Sequence, residues 1–218
     1  MSIWVKICGN TTFADAQLAS DAGADAVGFV FAPSPRRVTP DQVAEIAPRL
    51  PALVEKIGVF VDADLATIAA TVEQCALTGV QLHSAGPEQL AAQLRDRFGS
   101  GLRILRVIHF GADAARQLQT TGADTAIDGV LIDSRTAVAV GGTGIAFDWQ
   151  TARTTIFSGN QLKLVAAGGL NPANVAEAIT TLHPWGVDVV TGVEASPGRK
   201  DPQKVRKFIT NARAATLK

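Results

Sequence analysis

A thiol and an ammonium stand two residues apart near the start of the chain, in Lys6-Ile7-Cys8-Gly9. In an extended segment, residues of one parity point the same way, so Lys6 and Cys8 share a face. If that face looks inward, the cation favours the thiolate of a group whose reference pKa of about 8.5 already lies near neutrality. Cys8 is then a candidate base, with Lys6 beside it facing the ligand. The competing reading of Cys8 is a small buried hydrophobe, a common fate of a free thiol. Cys75 sits in an Ala-rich helical stretch and reads as packing.

Further along, Leu131-Ile132-Asp133-Ser134 places a carboxylate directly after an apolar run. Such a group is costly to bury unless it is paired or functional, which makes Asp133 a candidate acid; its bland alternative is a helix cap. Gln81-Leu82-His83 ends another apolar run with an imidazole, either a ligand contact or a partner for a neighbouring loop. Phe31-Ala32-Pro33-Ser34-Pro35-Arg36-Arg37 presents two guanidiniums on a loop stiffened by two prolines, a suitable anchor for an anion. Three glycine-bearing stretches follow: Gly141-Gly142-Thr143-Gly144, Gly168-Gly169-Leu170-Asn171 and Thr191-Gly192-Val193-Glu194. Their amides suit phosphate oxygens, so Gly142, Gly144, Gly168, Gly169, Thr191 and Gly192 are candidate phosphate contacts. Neither nucleotide signature fits. Phe147 stands where a dinucleotide fingerprint needs its third glycine, and Gly192 to Gly198 is followed by Arg199 rather than by Lys-Ser or Lys-Thr.

The elements that must position these groups alternate along the whole chain. Eight short apolar runs read as strands: Ile3–Ile7, Ala26–Phe31, Lys56–Val61, Gly79–His83, Arg103–Ile108, Ile127–Ile132, Leu162–Ala166 and Val187–Val190. They are apolar throughout rather than alternating, as parallel strands covered on both faces are. Helical stretches lie between them, among them Phe13–Ala22 and Leu65–Ala76. Thr39-Pro40-Asp41-Gln42 has the cap, first-turn proline and third-position Gln that open a helix, and Asn171-Pro172 opens another. Gly23, Gly79, Gly122 and Gly186 stand where helices end and are expected to close them in the left-handed conformation. Eight β units alternating with helices favour a closed (β/α)8 TIM barrel over a doubly wound open sheet, with the site at the strand C-termini. No linker divides the chain, so residues 1–218 form one domain in this reading.

Composition narrows the function classes. Twenty basic and twenty acidic residues balance to a net charge of zero, which removes the global basic excess expected of a nucleic-acid binder. Hydrophobic residues make up 47%, enough for a large core, yet no apolar run approaches the roughly 20 residues of a membrane helix. The start, Met-Ser-Ile-Trp-Val-Lys, carries no signal-peptide pattern. The two cysteines match no zinc spacing, so the expectation is a cytoplasmic protein with reduced thiols and no metal. The sequence assigns neither a monomer nor a homodimer.

Taken in order, these motifs resemble one family, phosphoribosylanthranilate isomerase. The resemblance rests on Lys6-Ile7-Cys8-Gly9, on Gly28-Phe29-Val30-Phe31 through Ser34-Pro35-Arg36, and on Gln81-Leu82-His83. It continues through Asp133-Ser134, Gly141 to Gly144 before Phe147-Asp148-Trp149, and Ala167-Gly168-Gly169-Leu170. Val193-Glu194, Pro197-Gly198 and Lys200-Asp201 complete the series. The resemblance implies a (β/α)8 barrel performing an Amadori rearrangement of a small phosphorylated aminosugar in tryptophan biosynthesis, without cofactor. It implies Cys8 as general base and Asp133 as general acid. Arg36 would hold the anthranilate carboxylate, and glycine-loop amides the phosphate. Two departures stand out: Ser84 where Gly is common, and Val190 where the family carries Ser. The second removes a hydroxyl near the expected phosphate site.

Two other readings compete. The related histidine-pathway sugar isomerase works with two strand-end aspartates, and Cys8 argues against it. A catalytically idle phosphosugar-binding barrel is disfavoured by the presence of both Cys8 and Asp133.

Overall fold

The computed structural model of the protein describes residues 2–83, 89–134, 148–159 and 162–215. Eight parallel strands close into a barrel in sequence order: β1 (Trp4–Ile7), β2 (Ala26–Val30), β3 (Glu55–Phe60), β4 (Gly79–Leu82), β5 (Arg103–His109), β6 (Gly129–Asp133), β7 (Leu164–Ala167) and β8 (Gly186–Val189). All eight expected strands are present, displaced by at most two residues at either end. Closure comes from β1 pairing with β8, Lys6 opposite Asp188. A two-stranded hairpin, β9 (Glu194–Ser196) with β10 (Arg199–Lys200), follows the barrel and has no counterpart in the sequence reading.

Helices α1 (Phe13–Asp21), α2 (Pro40–Ile46), α3 (Leu65–Cys75), α4 (Leu90–Phe98), α5 (Ala114–Gly122), α6 (Trp149–Ala152), α7 (Val175–Leu182) and α8 (Pro202–Ala215) connect the strands or follow them. None of the described helices is long and apolar enough to cross a membrane. Local chemistry sets their ends. At α2, Thr39 Oγ1 accepts from Gln42 N (3.2 Å) and Gln42 Oε1 accepts from Thr39 N (2.9 Å), the expected reciprocal cap. Such a cap stabilises a helix by about 1 kcal/mol.

Two local expectations fail, one because side chains bond the loop backbone and one for steric reasons. Asn171 and Asn174 bond each other's loop instead of starting a helix at Asn171, and α7 begins only at Val175. Among the four glycines expected to close helices, Gly23 alone takes a positive φ (+95°). Gly122 lies inside α5, while Gly79 and Gly186 start strands. A Cβ on Gly186 would lie 2.9 Å from the carbonyl oxygen of Trp4, so close strand approach, not turn geometry, calls for glycine there.

The apolar mass lies in two shells. The larger fills the space between strands and helices, including Val5, Ile7, Phe29, Ile104, Ile132 and Phe208. A smaller cluster of Trp4, Ile57, Leu105, Leu131 and Val165, with others, fills the barrel itself. Trp4 stacks on Trp185 at 5.1 Å, and Arg103 forks onto Glu55 at 2.6 and 2.7 Å while lying over the Trp185 ring. The barrel is a packed core, and a cavity opens at the C-terminal ends of its strands.

Candidate active site

Above the apolar layer, a charged pair spans the barrel interior. Lys6 Nζ donates to Asp188 Oδ1 at 2.8 Å and to Gln81 Oε1 at 2.9 Å, and its side chain is fully buried. Burial pulls the Lys6 ammonium down, but the charges and hydrogen bonds of Asp188 and Cys8 outweigh it and leave the group above its ordinary value. Parity therefore works as the sequence suggests, and Lys6 looks inward. Its ammonium stops short of the cavity, however: Lys6 is not among the lining residues and lies beneath Asp188 and Gln81, which are. A lysine stem is long enough to cross a barrel, so a neighbouring strand's carboxylate captures it before the mouth is reached.

Lys6 also orients the residues above it. An ammonium only donates, so it fixes the oxygen end of the Gln81 amide. The amide nitrogen then faces His83 Nε2 at 2.9 Å and donates to it, which leaves the proton of a neutral imidazole on Nδ1.

The cavity at the C-terminal strand ends measures about 550 Å³, within the ~300–1,000 Å³ usual for small-molecule sites. Cys8, directly after β1, and Asp133, the last residue of β6, both line it, as do His83, Arg36, Gly168, Gly169 and Thr191. The sequence reading named each of these. Gly28 makes room for the thiol, since a Cβ there would lie 2.5 Å from Cys8 Sγ. Asp133 is 1% exposed, and its main-chain oxygen accepts from Phe110 N at 2.8 Å.

Arg36 reaches the cavity on a rigid mount. Its Nε and Nη2 donate to the two carboxylate oxygens of Glu194 at 2.8 and 2.7 Å, a planar fork that leaves Nη1 for a ligand. Burial pushes the Glu194 carboxyl up, but Arg36, Lys200 and the Gly198 amide together hold it below its ordinary value. Arg37 is exposed and contributes nothing to the lining.

Gly168 and Gly169 adopt φ of +83° and +65°, the left-handed region in which a side chain is strained. Gly168 is also crowded: a Cβ would meet the Ser134 hydroxyl and lie 2.6 Å from Asp133 Oδ1. Gly168→Ala is therefore expected to displace Asp133, lowering kcat at least tenfold and Tm by about 4–8 °C for a cost of ~2 kcal/mol. Gly101, whose Cβ would meet open space, is the control, and equal behaviour of the two alanine variants in melting and turnover would refute the argument.

Some expected groups fall elsewhere. Gly142 and Gly144, with Ser84, lie outside the described residues. Gly192 does not line this cavity but an adjoining one of about 480 Å³, and Thr191 lines both; a Cβ on Gly192 would run into the carbonyl oxygen of Leu170. Val190 Cγ1 stands against Gly9 and beside the Arg36 stem, so the hydroxyl absent at this position would have lain near the arginine anchor. Four groups were not assigned from sequence. Asp188 carried a usable signal, a carboxylate inside an apolar strand. His109, at 6.2 Å between ring centroids from His83, lay one residue past the expected end of β5. Glu194 and Lys200 had no local signal of pairing.

Comparison with known proteins agrees with this geometry. The family model described as N-(5'phosphoribosyl)anthranilate (PRA) isomerase matches residues 5–211. An N-(5'-phosphoribosyl)anthranilate isomerase of Citrifermentans bemidjiense is 42% identical, over 98% of each chain. The crystal structure of phosphoribosyl anthranilate isomerase from Thermotoga maritima superposes with a TM-score of 0.83 at 35% identity, covering 97% of this chain and 99% of that one. A crystal structure of such an isomerase in complex with reduced 1-(o-carboxyphenylamino)-1-deoxyribulose 5-phosphate superposes at 0.80 with 33% identity, covering 97% and 99%. With the match running almost end to end, the chain belongs to the N-(5'-phosphoribosyl)anthranilate isomerase family.

Proposed function

We propose that the cavity catalyses the Amadori rearrangement of N-(5-phosphoribosyl)anthranilate to 1-(2-carboxyphenylamino)-1-deoxyribulose 5-phosphate, a step of tryptophan biosynthesis, with Asp133 as acid and Cys8 as base. The observation that carries this assignment is the meeting of a carboxyl from β6 and a thiol from β1 in one cavity, between an arginine anchor and a glycine pair. Asp133 donates its proton to the furanose ring oxygen as the C1′–O4′ bond breaks, and the amine lone pair forms the C1′ iminium. The Cys8 thiolate then removes the C2′ proton, which the iminium has acidified. The C2′–H electrons become the C1′–C2′ double bond, neutralising the nitrogen. The resulting enol loses its hydroxyl proton as C1′ gains one, which gives the ketone. The substrate's own nitrogen is the electron sink.

In this reading Arg36 holds the anthranilate carboxylate, and the amides around Gly168, Gly169 and Thr191 face the phosphate. His83 contacts substrate from the β4 side. The substrate is a small phosphorylated aminosugar, and residues 1–218 act as one domain. Both cysteines are free and buried, which suits a reducing cytoplasm. Freshly prepared phosphoribosylanthranilate mixed with the protein should lose its fluorescence enzymatically; a decay no faster than the spontaneous one would refute the activity.

Because the Arg36 contact is to a group that does not react, Arg36→Ala should raise KM about ten- to a hundredfold and change kcat less than threefold. The basis is the ~1.5–3 kcal/mol of a charge-assisted hydrogen bond. Arg37→Ala should change neither constant. Equal damage at both positions in steady-state kinetics would replace the specific contact with a diffuse electrostatic one.

A further inference from the structure

The β9–β10 hairpin straps the segment from the end of β1 into α1 at three points. Thr11 Oγ1 donates to Gly198 O at 2.6 Å, and Lys200 N donates to Asp15 Oδ1 at 3.2 Å. The third contact lies under the thiol: Lys200 Nζ donates to the main-chain oxygen of Cys8 at 2.6 Å. The Lys200 side chain is fully buried, and its nearby carboxylate oxygen is Glu194 Oε1 at 3.4 Å. That carboxylate already carries the Arg36 fork. Lys6 is matched one to one by Asp188, whereas a single anion, Glu194, serves both Arg36 and Lys200. Positive charge is thus in excess in this triad, which abuts Cys8.

We propose that Lys200 is a positioning residue for the base: held between the Cys8 carbonyl oxygen and Glu194, its ammonium fixes the turn that aims the thiol and lends its charge to the thiolate. The proposal rests on Cys8 being the base. Burial pulls the Lys200 ammonium below its ordinary value, and the charges of Glu194 and Cys8 oppose that pull. The charged and titratable groups around Cys8 are Lys6 with Asp188, Arg36 with Glu194, and, lining the same cavity, His83, His109 and Asp133. Asp15, on α1, binds the main-chain nitrogen of Lys200.

Alkylation of the free enzyme by iodoacetamide across pH, read at the Cys8 peptide by mass spectrometry, separates charge from packing. Lys200→Met keeps the stem and removes the charge; Lys200→Gln removes the charge but still donates hydrogen bonds; Lys200→Arg keeps the charge. Both neutral variants should raise the alkylation midpoint by about one pH unit, a tenfold lower thiolate fraction at fixed pH below it. The acid limb of kcat/KM should move with it, because that limb reports the free enzyme. Lys200→Arg should hold the midpoint within about 0.3 unit. An unchanged midpoint in a folded neutral variant overturns the proposal, whatever happens to kcat. If neither neutral variant folds, Lys200→Arg decides: a retained midpoint with kcat within threefold supports the proposal, and a shift of a full unit overturns it. A parent whose kcat/KM limb fails to track its own Cys8 midpoint overturns the base assignment instead, and with it the catalytic part of the role of Lys200.

Discussion

Replacing Cys8 with alanine is expected to lower kcat by about two to four orders of magnitude, the usual contribution of a positioned base, while KM moves less than threefold. The split follows from geometry. The thiol sits just past β1 at the cavity wall, while the proposed anchors for the substrate's two anionic ends, Arg36 and the Gly168-Gly169 pair, lie on other segments of the chain. Removing one sulfur therefore deletes the proton acceptor and leaves the binding groups in place. It also leaves only a small void beside Gly28, so the barrel stays folded. Circular dichroism and a melting curve establish that the variant is native before its turnover is measured. Turnover near the parent rate in a folded Cys8→Ala protein would return Cys8 to the role of a packing residue.

Asp133→Asn should be as damaging to kcat and as mild on KM. Asparagine keeps the size and most of the polarity of the side chain but has no carboxylic proton to transfer to the ring oxygen. A donor that can hydrogen-bond without giving up its proton binds the ground state and fails the transition state, so kcat and kcat/KM should fall together by about 10²–10⁴. The tight approach of Gly168 to Asp133 Oδ1 argues that the replacement side chain stays where the carboxylate was. A rise in KM with kcat preserved, measured under saturating substrate, would make Asp133 a binding residue and leave the acid to be found elsewhere. If acid and base act on one reaction coordinate, the double variant should be little slower than the worse single one, because effects of groups acting as a unit do not add.

Arg36 and Lys200 bear on two parts of the reaction through one carboxylate. Glu194 fixes the arginine by a fork and touches the ammonium that holds the Cys8 carbonyl. In the proposed mechanism, substrate anchoring and the aim of the base thus share a support. A change at Glu194 should therefore disturb KM and kcat together, whereas a change at Arg36 alone should act mainly on KM.

What the sequence determined by itself is everything encoded within a few neighbouring residues. Eight apolar runs separated by helical stretches located all eight strands, and Thr39 with Gln42 marked the start of α2. Strand-end position made Cys8, Asp133 and His83 candidates, a proline-stiffened loop made Arg36 one, and all four line one cavity. Boundaries slipped where hydrophobicity stops before pairing does: β5 runs one residue past Ile108, and that residue is His109. Glycines at Gly79 and Gly186 were misread because the demand on them comes from an adjacent strand, not from the turn they follow. The charge pairings belong to tertiary structure alone. Lys6 and Asp188 are 182 residues apart, Arg36 and Glu194 158, and Lys200 and the Cys8 carbonyl 192. Only closure of β1 on β8, with its particular register, places those partners within reach. A local window can show that a buried charge must be satisfied, but strand stagger and the hairpin after β8 choose what satisfies it.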